Sequence, residues 1–526
     1  MRKLLLGTTA LAAAATLTAN AALADVSISG AIEWSYNSRS SNIAANDGTM
    51  FGTDSSITIG FTNKTDSGLT LGYTQSMDTD GEVFGNAEND ISDVTDLSGF
   101  VPNLVVSGQE DQSDIKIFIR GVGTNNPTET GDQGVGVYVD GVYAARAQGA
   151  LALMYDLENV QVLRGPQGTL FGRNNTGGAL LLQTKKPRGE YEADLQLSAG
   201  SYNRMQLSGG MTVPVTDTLG IRIAGYTDKD DGWVEAINED PRGDDHNYGN
   251  IAGRTANTDV LLNNTKVSSA RITGVWEPTD QLSVTAQYET FSDKGNGGIL
   301  LSPVDVDAGV FQSYIDSPIF LDLSSDVFRS SVSYDLSDSL NLEYIFGSAE
   351  LSRRQVVDQD AGILSRFQEA RTEYQNTNSY SHEIKLQNFG DERLSWTTGL
   401  YYFREETGIR FDFDGQGAWL QGGASFIQPA RGAESASVYG QLNYDLTDNL
   451  VVTAGVRYTD DLKYDRGGRN IMDCNNQFIQ PTLGGSDLSV FNDFLNMLPL
   501  PGGRPSEFFV KNASFFWNSQ LLSNLG

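Results

Sequence analysis

The chain has 526 residues, a formal net charge of −31, one cysteine and two histidines. This surplus of carboxylates argues against a nucleic-acid partner, whose phosphates want Lys and Arg. The single Cys474 leaves no internal disulfide to form, and His246 and His382 are too few for a histidine-built metal centre.

The chain opens MRKLLLGTTALAAAATLTANAALA. A positive start at Arg2 and Lys3, a short apolar stretch and the small-residue site Ala22-Leu23-Ala24 predict a signal peptide over 1–24, with Asp25 the first mature residue. After it, no apolar run is long enough for a membrane-crossing helix. Residues 25–82 alternate as strands: Val26, Ile28, Ile32 and Trp34, then Ile57, Ile59 and Phe61, then Leu69, Leu71 and Tyr73.

Residues 83–189 break this pattern and read as a compact mixed α/β domain containing IKIFIRGVG, GVGVYVDGVYAA and LRGPQGTLFGRNNTGG. The last stretch raises the possibility of a phosphate loop. A dinucleotide fingerprint needs G-x-G-x-x-G between a strand and a helix, and a P-loop ends in Gly-Lys-Ser/Thr. Here Gly165, Gly168 and Gly172 lead through a turn into a strand, and Arg173 follows Gly172. Both nucleotide readings fail, and so does GVGVYVDG, which also runs into a strand. SHEIK lacks the second histidine of a zinc motif. No carboxylate pair or nucleophile–base set stands out, so neither enzymatic activity nor a cofactor is expected.

From residue 190 the alternation returns and dominates. Leu282, Val284, Ala286 and Tyr288 share one face, as do Leu450, Val452, Ala454, Val456 and Tyr458. A short turn recurs as PVTDTL, EPTDQL, DLSDSL and DLTDNL, with a looser NFGDERL. Its Thr or Ser followed by Asp supplies side-chain acceptors for turn amides. Polar excursions are predicted between these turns, at about 229–262, 293–326, 354–377, 414–433 and 467–505.

Short turns on one rim and long loops on the other suit a transmembrane antiparallel β-barrel. Each strand crosses an apolar band of about 25 Å in roughly 9–11 residues. Apolar side chains then face lipid and polar ones the lumen, because only a closed sheet satisfies its backbone in hydrocarbon. Trp276, Trp396, Tyr401, Tyr402 and Tyr458 are placed at the interfacial girdle.

ENVQVLRGPQGTLFGRNNTGGALLLQTKKP closely resembles the plug signature of TonB-dependent outer-membrane receptors. IRGVG and the unit from GVGVYVDG to VLRGP share that resemblance, and SHEIKLQ and WTTGLYYFREE look like the family's barrel. The resemblance implies a plug seated in a barrel lumen, uptake of a scarce nutrient (usually an iron–siderophore complex), and energy from an inner-membrane complex driven by the proton gradient. It makes Gly165, Pro166, Gly168, Gly172, Arg173, Gly177 and Gly178 the plug motif. It implies that Arg120 and Arg164 pair with lumen-facing barrel glutamates, and alternation nominates Glu383. Ligand contacts are expected in apical loops, at Asn125, Asn126, Glu129, Arg146 and Gln148.

Two departures shape the expectation. Residues 25–82 look like the opening strands of a general porin, and no energy-coupling box is found there; NLVVSG at Asn103 is the nearest lookalike. About eleven or twelve strands follow Tyr191, against roughly 22 in the family, and the end FFWNSQLLSNLG resembles no barrel-closing strand. The expected organisation is therefore a signal peptide (1–24), porin-like strands (25–82), a plug (83–189) and a partial barrel (190–526). The leading reading is an incomplete or fused outer-membrane receptor whose partners are the TonB energy-coupling complex, an iron chelate or other nutrient, and outer-membrane lipid. A passive porin-like channel and a non-functional fusion are the alternatives.

Overall fold

The computed structural model describes residues 25–39, 48–64, 70–78, 97–108, 115–124, 131–146, 154–237, 261–296, 312–314, 319–358, 369–389, 393–417, 420–421, 424–447, 450–467, 470–473 and 478–481. The signal peptide and the loop positions Asn125, Asn126, Glu129 and Gln148 lie outside these residues.

Three strands come first among the described residues, β1 (Asp25–Arg39), β2 (Gly48–Lys64) and β3 (Thr70–Asp78). They pair antiparallel in sequence order, with Ile28 opposite Ile59 and Phe61 opposite Tyr73.

The next segment makes two small sheets. The first follows a single helical turn, α1 (Leu97–Phe100), and holds β4 (Leu104–Gly108), β5 (Ile115–Ile119) and β6 (Val122–Gly123). The second holds β7 (Val135–Val139), β8 (Val142–Tyr143), β9 (Leu157–Arg164) and β10 (Gly178–Thr184), in the order β8-β7-β10-β9. A second short helix, α2 (Gly168–Phe171), lies between β9 and β10. Strands β7 and β10 are parallel, with Val137 opposite Leu180. Parallel strands are covered on both faces, and all five residues of β7 are buried. Ile115, Ile117, Ile119, Val135, Val137 and Leu180 form the shared core. Each such side chain contributes about 1.5–3 kcal/mol on leaving water.

The wall follows as a meander. Strands β11 (Glu192–Ala199), β12 (Met205–Thr216) and β13 (Leu219–Lys229) lead it. The short β14 (Val234–Ile237) and β15 (Leu261–Leu262) belong to a separate three-stranded sheet. The wall resumes with β16 (Lys266–Thr279) and β17 (Leu282–Asp293). After β18 (Gln312–Tyr314), which completes the small sheet, come β19 (Phe320–Ser337), β20 (Leu340–Asp358), β21 (Glu369–Asn388) and β22 (Leu394–Gly417). The short β23 (Leu420–Gln421) precedes β24 (Ala424–Thr447) and β25 (Leu450–Arg466). Two further short strands, β26 (Asn470–Asp473) and β27 (Phe478–Pro481), extend the sheet beside the start of β24. Each wall strand pairs antiparallel with the next.

The exposure pattern inverts that of a soluble sheet. On β17, Gln287 and Glu289 are buried while Tyr288 between them is 47% exposed. On β25, Val456 and Tyr458 are each 72% exposed. Polar residues inward and apolar residues outward are what a lipid-embedded wall requires. The four close variants of the recurring turn also share a register shift, just before Thr216, Thr279, Ser337 and Thr447. The repeated motif therefore encodes a repeated bulge along one rim.

Several predicted excursions are shorter than expected. β20 runs to Asp358, β21 starts at Glu369, and β22 and β24, each of 24 residues, fill most of 414–433. Outside the lipid band the ladder still satisfies the backbone, so pairing continues past the length needed to cross. Tyr401 also corrects its girdle assignment. It packs inward beside Tyr138, Tyr143 and Phe403, whereas Trp276 and Tyr458 do face outward.

The wall begins at a parallel pairing, Glu192 to Ala199 of β11 against Thr70 to Met77 of β3. Among the described residues no pairing joins β1 to β25, so the sheet is not closed there.

Candidate functional site

The inner domain meets the wall through a buried polar seam. Its centre is Tyr155-Asp156, just before β9, where Asp156 adopts φ 54. The Arg222 guanidinium on β13 donates from Nε to both Asp156 oxygens, at 3.1 and 3.0 Å, and from Nη2 to Asp194 at 2.7 Å. Arg271 on β16 reaches Asp156 at 3.4 Å and donates to the carbonyls of Tyr155 (3.0 Å) and Asp156 (3.1 Å). Register sets Arg271 opposite Glu289 on β17, and the two pair at 3.3 Å. Glu289 also pairs with Arg329 of β19 at 2.7 Å and accepts a bond from the Tyr155 hydroxyl at 3.0 Å. Burial, and then the Glu289 carboxylate, hold that hydroxyl well above its ordinary pKa. Three guanidinium groups thus face Asp156, Asp194 and Glu289. Apart from Asp194, whose side chain is 41% exposed, these charges are buried, which is tolerable only when they are paired, and leaving one alone is strongly destabilising.

The seam continues through Asp140 (φ 49), in the turn after β7. Thr184 donates its backbone N–H to Asp140 at 3.0 Å and its hydroxyl at 2.7 Å. Gln287 of the wall donates to Asp140 at 3.1 Å and to the Thr184 hydroxyl at 2.9 Å. Arg329 in turn donates to the Gln287 side-chain oxygen, Oε1, at 2.6 Å. The result is one network running from Asp194 to Thr184, from both sides of the interface.

Beside it, the β7–β8 hairpin is pressed against the wall. A Cβ at Gly347 on β20 would collide with Val142. Tyr143 meets Phe403 edge-on, with centroids 5.7 Å apart. Arg146 forms an ion pair with Glu405 on β22.

The glycine run serves close backbone packing. Gly165 N–H donates to Gly177 O at 3.0 Å, and Gly177 N–H to Gly134 O at 2.8 Å. Pro166 lies between β9 and α2, and Gly168 opens α2. Gly172 ends that helix at φ 75, and a Cβ there would meet the Arg457 guanidinium of β25 at 2.6 Å. That guanidinium donates to the carbonyl of Leu170 at 3.2 Å. Gly178 starts β10 with its φ also positive. Arg173 pairs with Asp132 at 2.9 Å, and Lys463 of β25 joins them. Partial burial pushes the Asp132 carboxyl up. The Lys463 bond and the two positive charges outweigh it, leaving the group below the usual carboxylate range.

The structure does not assemble the predicted cluster of Arg120, Arg164 and Glu383. Glu383 does face inward, since Ile384 beside it is 46% exposed, but it accepts a bond from the Tyr439 hydroxyl at 2.6 Å. Arg120 sits at a tight turn with φ 53, and Arg164 ends β9; both are exposed. The charge contacts that do cross the interface at Asp156 have the opposite polarity, with the acid on the inner domain and the arginines on the wall. Of the predicted apical contacts, only Arg146 lies among the described residues, and it is engaged by Glu405. Asp156, Arg222, Arg271 and Glu289 were not singled out from sequence. Their signal is a lone charge in mid-strand on the polar face, as in GIRIAG and SSARITG.

Two family models match the chain, together covering more than half of it. TonB-dependent Receptor Plug Domain matches residues 75–179, and TonB dependent receptor-like, beta-barrel matches residues 276–489. An iron-regulated outer membrane virulence protein of Vibrio cholerae is 25% identical over 280 residues, 43% of this chain and 40% of that protein. The metal-pseudopaline receptor CntO of Pseudomonas aeruginosa is 39% identical over 61 residues, 12% of this chain and 9% of its own. The ferric yersiniabactin uptake receptor FyuA of Yersinia pestis superposes with a TM-score of 0.63 at 19% identity, over 74% of this chain and 56% of its own. The chain thus spans about half or less of the length of the relatives it matches.

Proposed function

Because the chain belongs to the TonB-dependent receptor family of the outer membrane, we propose that it takes up an iron chelate across that membrane. The family is one of receptors and not of enzymes. The observation that carries the proposal is the seam itself. In this reading the inner domain blocks passage at rest, held by apolar contacts at Val142 and Tyr143 and, along the seam, by polar contacts between paired buried charges. They exchange for water when the domain is displaced, where a wholly apolar seal of the same area resists wetting. Energy for that displacement comes, in this reading, from the inner-membrane TonB complex. Names among the relatives support iron as cargo, since one is iron-regulated and another takes up a ferric chelate.

The test is uptake of a radio-iron chelate by cells whose only receptor is this chain. Uptake should stop when the proton gradient is collapsed. Uptake that persists without the gradient makes the chain a passive channel instead.

A further inference from the structure

Strand β9 is anchored to the wall at both ends, and the two anchors differ in chemistry. Just before its start, Tyr155 and Asp156 enter the charged seam with β13, β16, β17 and β19. Its far end, eight residues or roughly 25 Å away, leads into α2. There the Arg457 guanidinium of β25 donates from Nη1 to the carbonyls of Thr169 and Leu170, at 3.4 and 3.2 Å. It also donates to the Ser437 hydroxyl of β24, and from Nε to Thr459 Oγ1 at 3.3 Å. Two rings flank it, with the Tyr401 centroid 5.7 Å and the Tyr439 centroid 5.0 Å from the guanidinium carbon.

This second anchor is close-fitting and rigid. A Cβ at Gly172 would meet Arg457 at 2.6 Å, and one at Gly455 would meet the Thr169 methyl at 2.7 Å. Tyr138 of β7 donates its hydroxyl to Phe171 O at 2.9 Å, and its ring meets Phe171 edge-on, with centroids 5.0 Å apart. Asn175 donates to the Tyr138 hydroxyl at 2.8 Å. Thus α2 is tied to the sheet of the inner domain and passes any pull on to it. Leu163, at the end of β9, and Phe171 pack with Tyr138, Tyr143, Tyr401 and Phe403 in one apolar cluster.

Water treats the two anchors differently. In the seam, guanidinium groups face carboxylates, and separating them returns every ion to hydration, which offsets much of the attraction lost. At the α2 end the acceptors are carbonyls, hydroxyls and ring faces. Only one cation regains hydration there, and the apolar cluster around it resists wetting. Resting on the displacement proposed above, we infer that Arg457 is a positioning residue that keeps the α2 end of β9 on the wall while the Asp156 end lets go. The inner domain then swings about β25 and does not leave as a free body.

The full chain in detergent, carrying Cys474→Ser, tests this with two pairs of spin labels at exposed positions. Asn159→Cys with Ile223→Cys reads the seam end, and Arg164→Cys with Val456→Cys reads the Arg457 end. In graded urea the seam pair should lose its single resting distance at a lower concentration than the Arg457 pair. Asp156→Leu and, independently, Glu289→Gln should spread the seam pair without urea and leave the Arg457 pair narrow. Adding Arg457→Met should spread the second pair as well, and Arg457→Lys, which keeps the charge, should spread it less. Both ends letting go at one urea concentration, or the Arg457 end first, overturns the inference. So do an Arg457 pair that stays narrow after Arg457→Met, and seam variants that both leave the seam pair narrow. The readout is distance and not uptake. Release as a free body therefore leaves the iron reading standing, and a chain that takes up no iron still reports which end holds.

Discussion

The Asp156 carboxylate and the Arg222 guanidinium, on opposite sides of the plug–wall interface, are both almost fully buried and bonded to each other through two oxygens at 3.0 and 3.1 Å. Removing only the acid leaves Arg222 hydrogen-bonded to Asp194 alone among carboxylates and Arg271 with Glu289 alone, each buried guanidinium short of one partner. Asp156→Leu should therefore destabilise plug seating by about 3–5 kcal/mol, seen as a fall in the urea midpoint for protease cleavage within the plug. Asp156→Leu combined with Arg222→Met should recover much of that loss, because both charges then leave together. A double variant no better than the single one argues against the pair.

Gly347 makes a different kind of contact, one of shape. Adding a Cβ there drives it into Val142. Gly347→Ala should cost about 1–3 kcal/mol, as overpacking usually does. Val142→Ala in the same chain should restore the parent midpoint. If Gly347→Ala melts like the parent, the hairpin does not press on the wall.

Alkaline stability follows from Tyr143. Burial pushes its hydroxyl up to about 12, although Asn174 donates to it. In the unfolded chain it titrates near 10. Its folded-state pKa is raised, so its contribution is fully present below pH 10 and is lost as pH rises toward 12. Tyr143→Phe should flatten the loss of plug stability across that window, measured by alkaline titration of protease resistance. An unchanged slope means that the hydroxyl is wet.

Asp132 predicts the opposite flank. Its folded carboxyl is lowered, so its stabilisation is present above the ordinary carboxylate pKa and disappears as pH falls through the folded value. The group is 44% exposed, which screens its pairs with Arg173 and Lys463 and limits each to about 0–1 kcal/mol. Asp132→Asn should weaken the tie between plug and β25 slightly at neutral pH and remove its salt dependence. A variant as salt-sensitive as the parent places that dependence elsewhere.

The wall was legible from sequence because period-two alternation is local. Tyr288 outward with Gln287 and Glu289 inward follows from three adjacent letters. The recurring Thr-Asp or Ser-Asp turn marked one rim in the same way. The glycine run could be told from a phosphate loop because a strand, and not a helix, follows it. The seam was not legible, since Asp156 and Arg222 stand 66 positions apart and nothing near either names the other. Glu383 shows the limit of the alternation rule. It settles which face a carboxylate occupies, and Tyr439, 56 positions away, settles its partner. Tyr401 fails as a girdle residue for a related reason: aromatic character alone does not separate the lipid face from a face that receives a plug.

The side-by-side strands β3 and β11 point the same way. A hairpin cannot join two such neighbours; the chain must make a crossover back to the rim it left. Residues 79–191 are that return path. The plug is thus a topological link of the wall and not a removable insert. Splicing residue 78 directly to residue 192 would start β11 at the wrong rim, and the strand would have to reverse or leave the sheet.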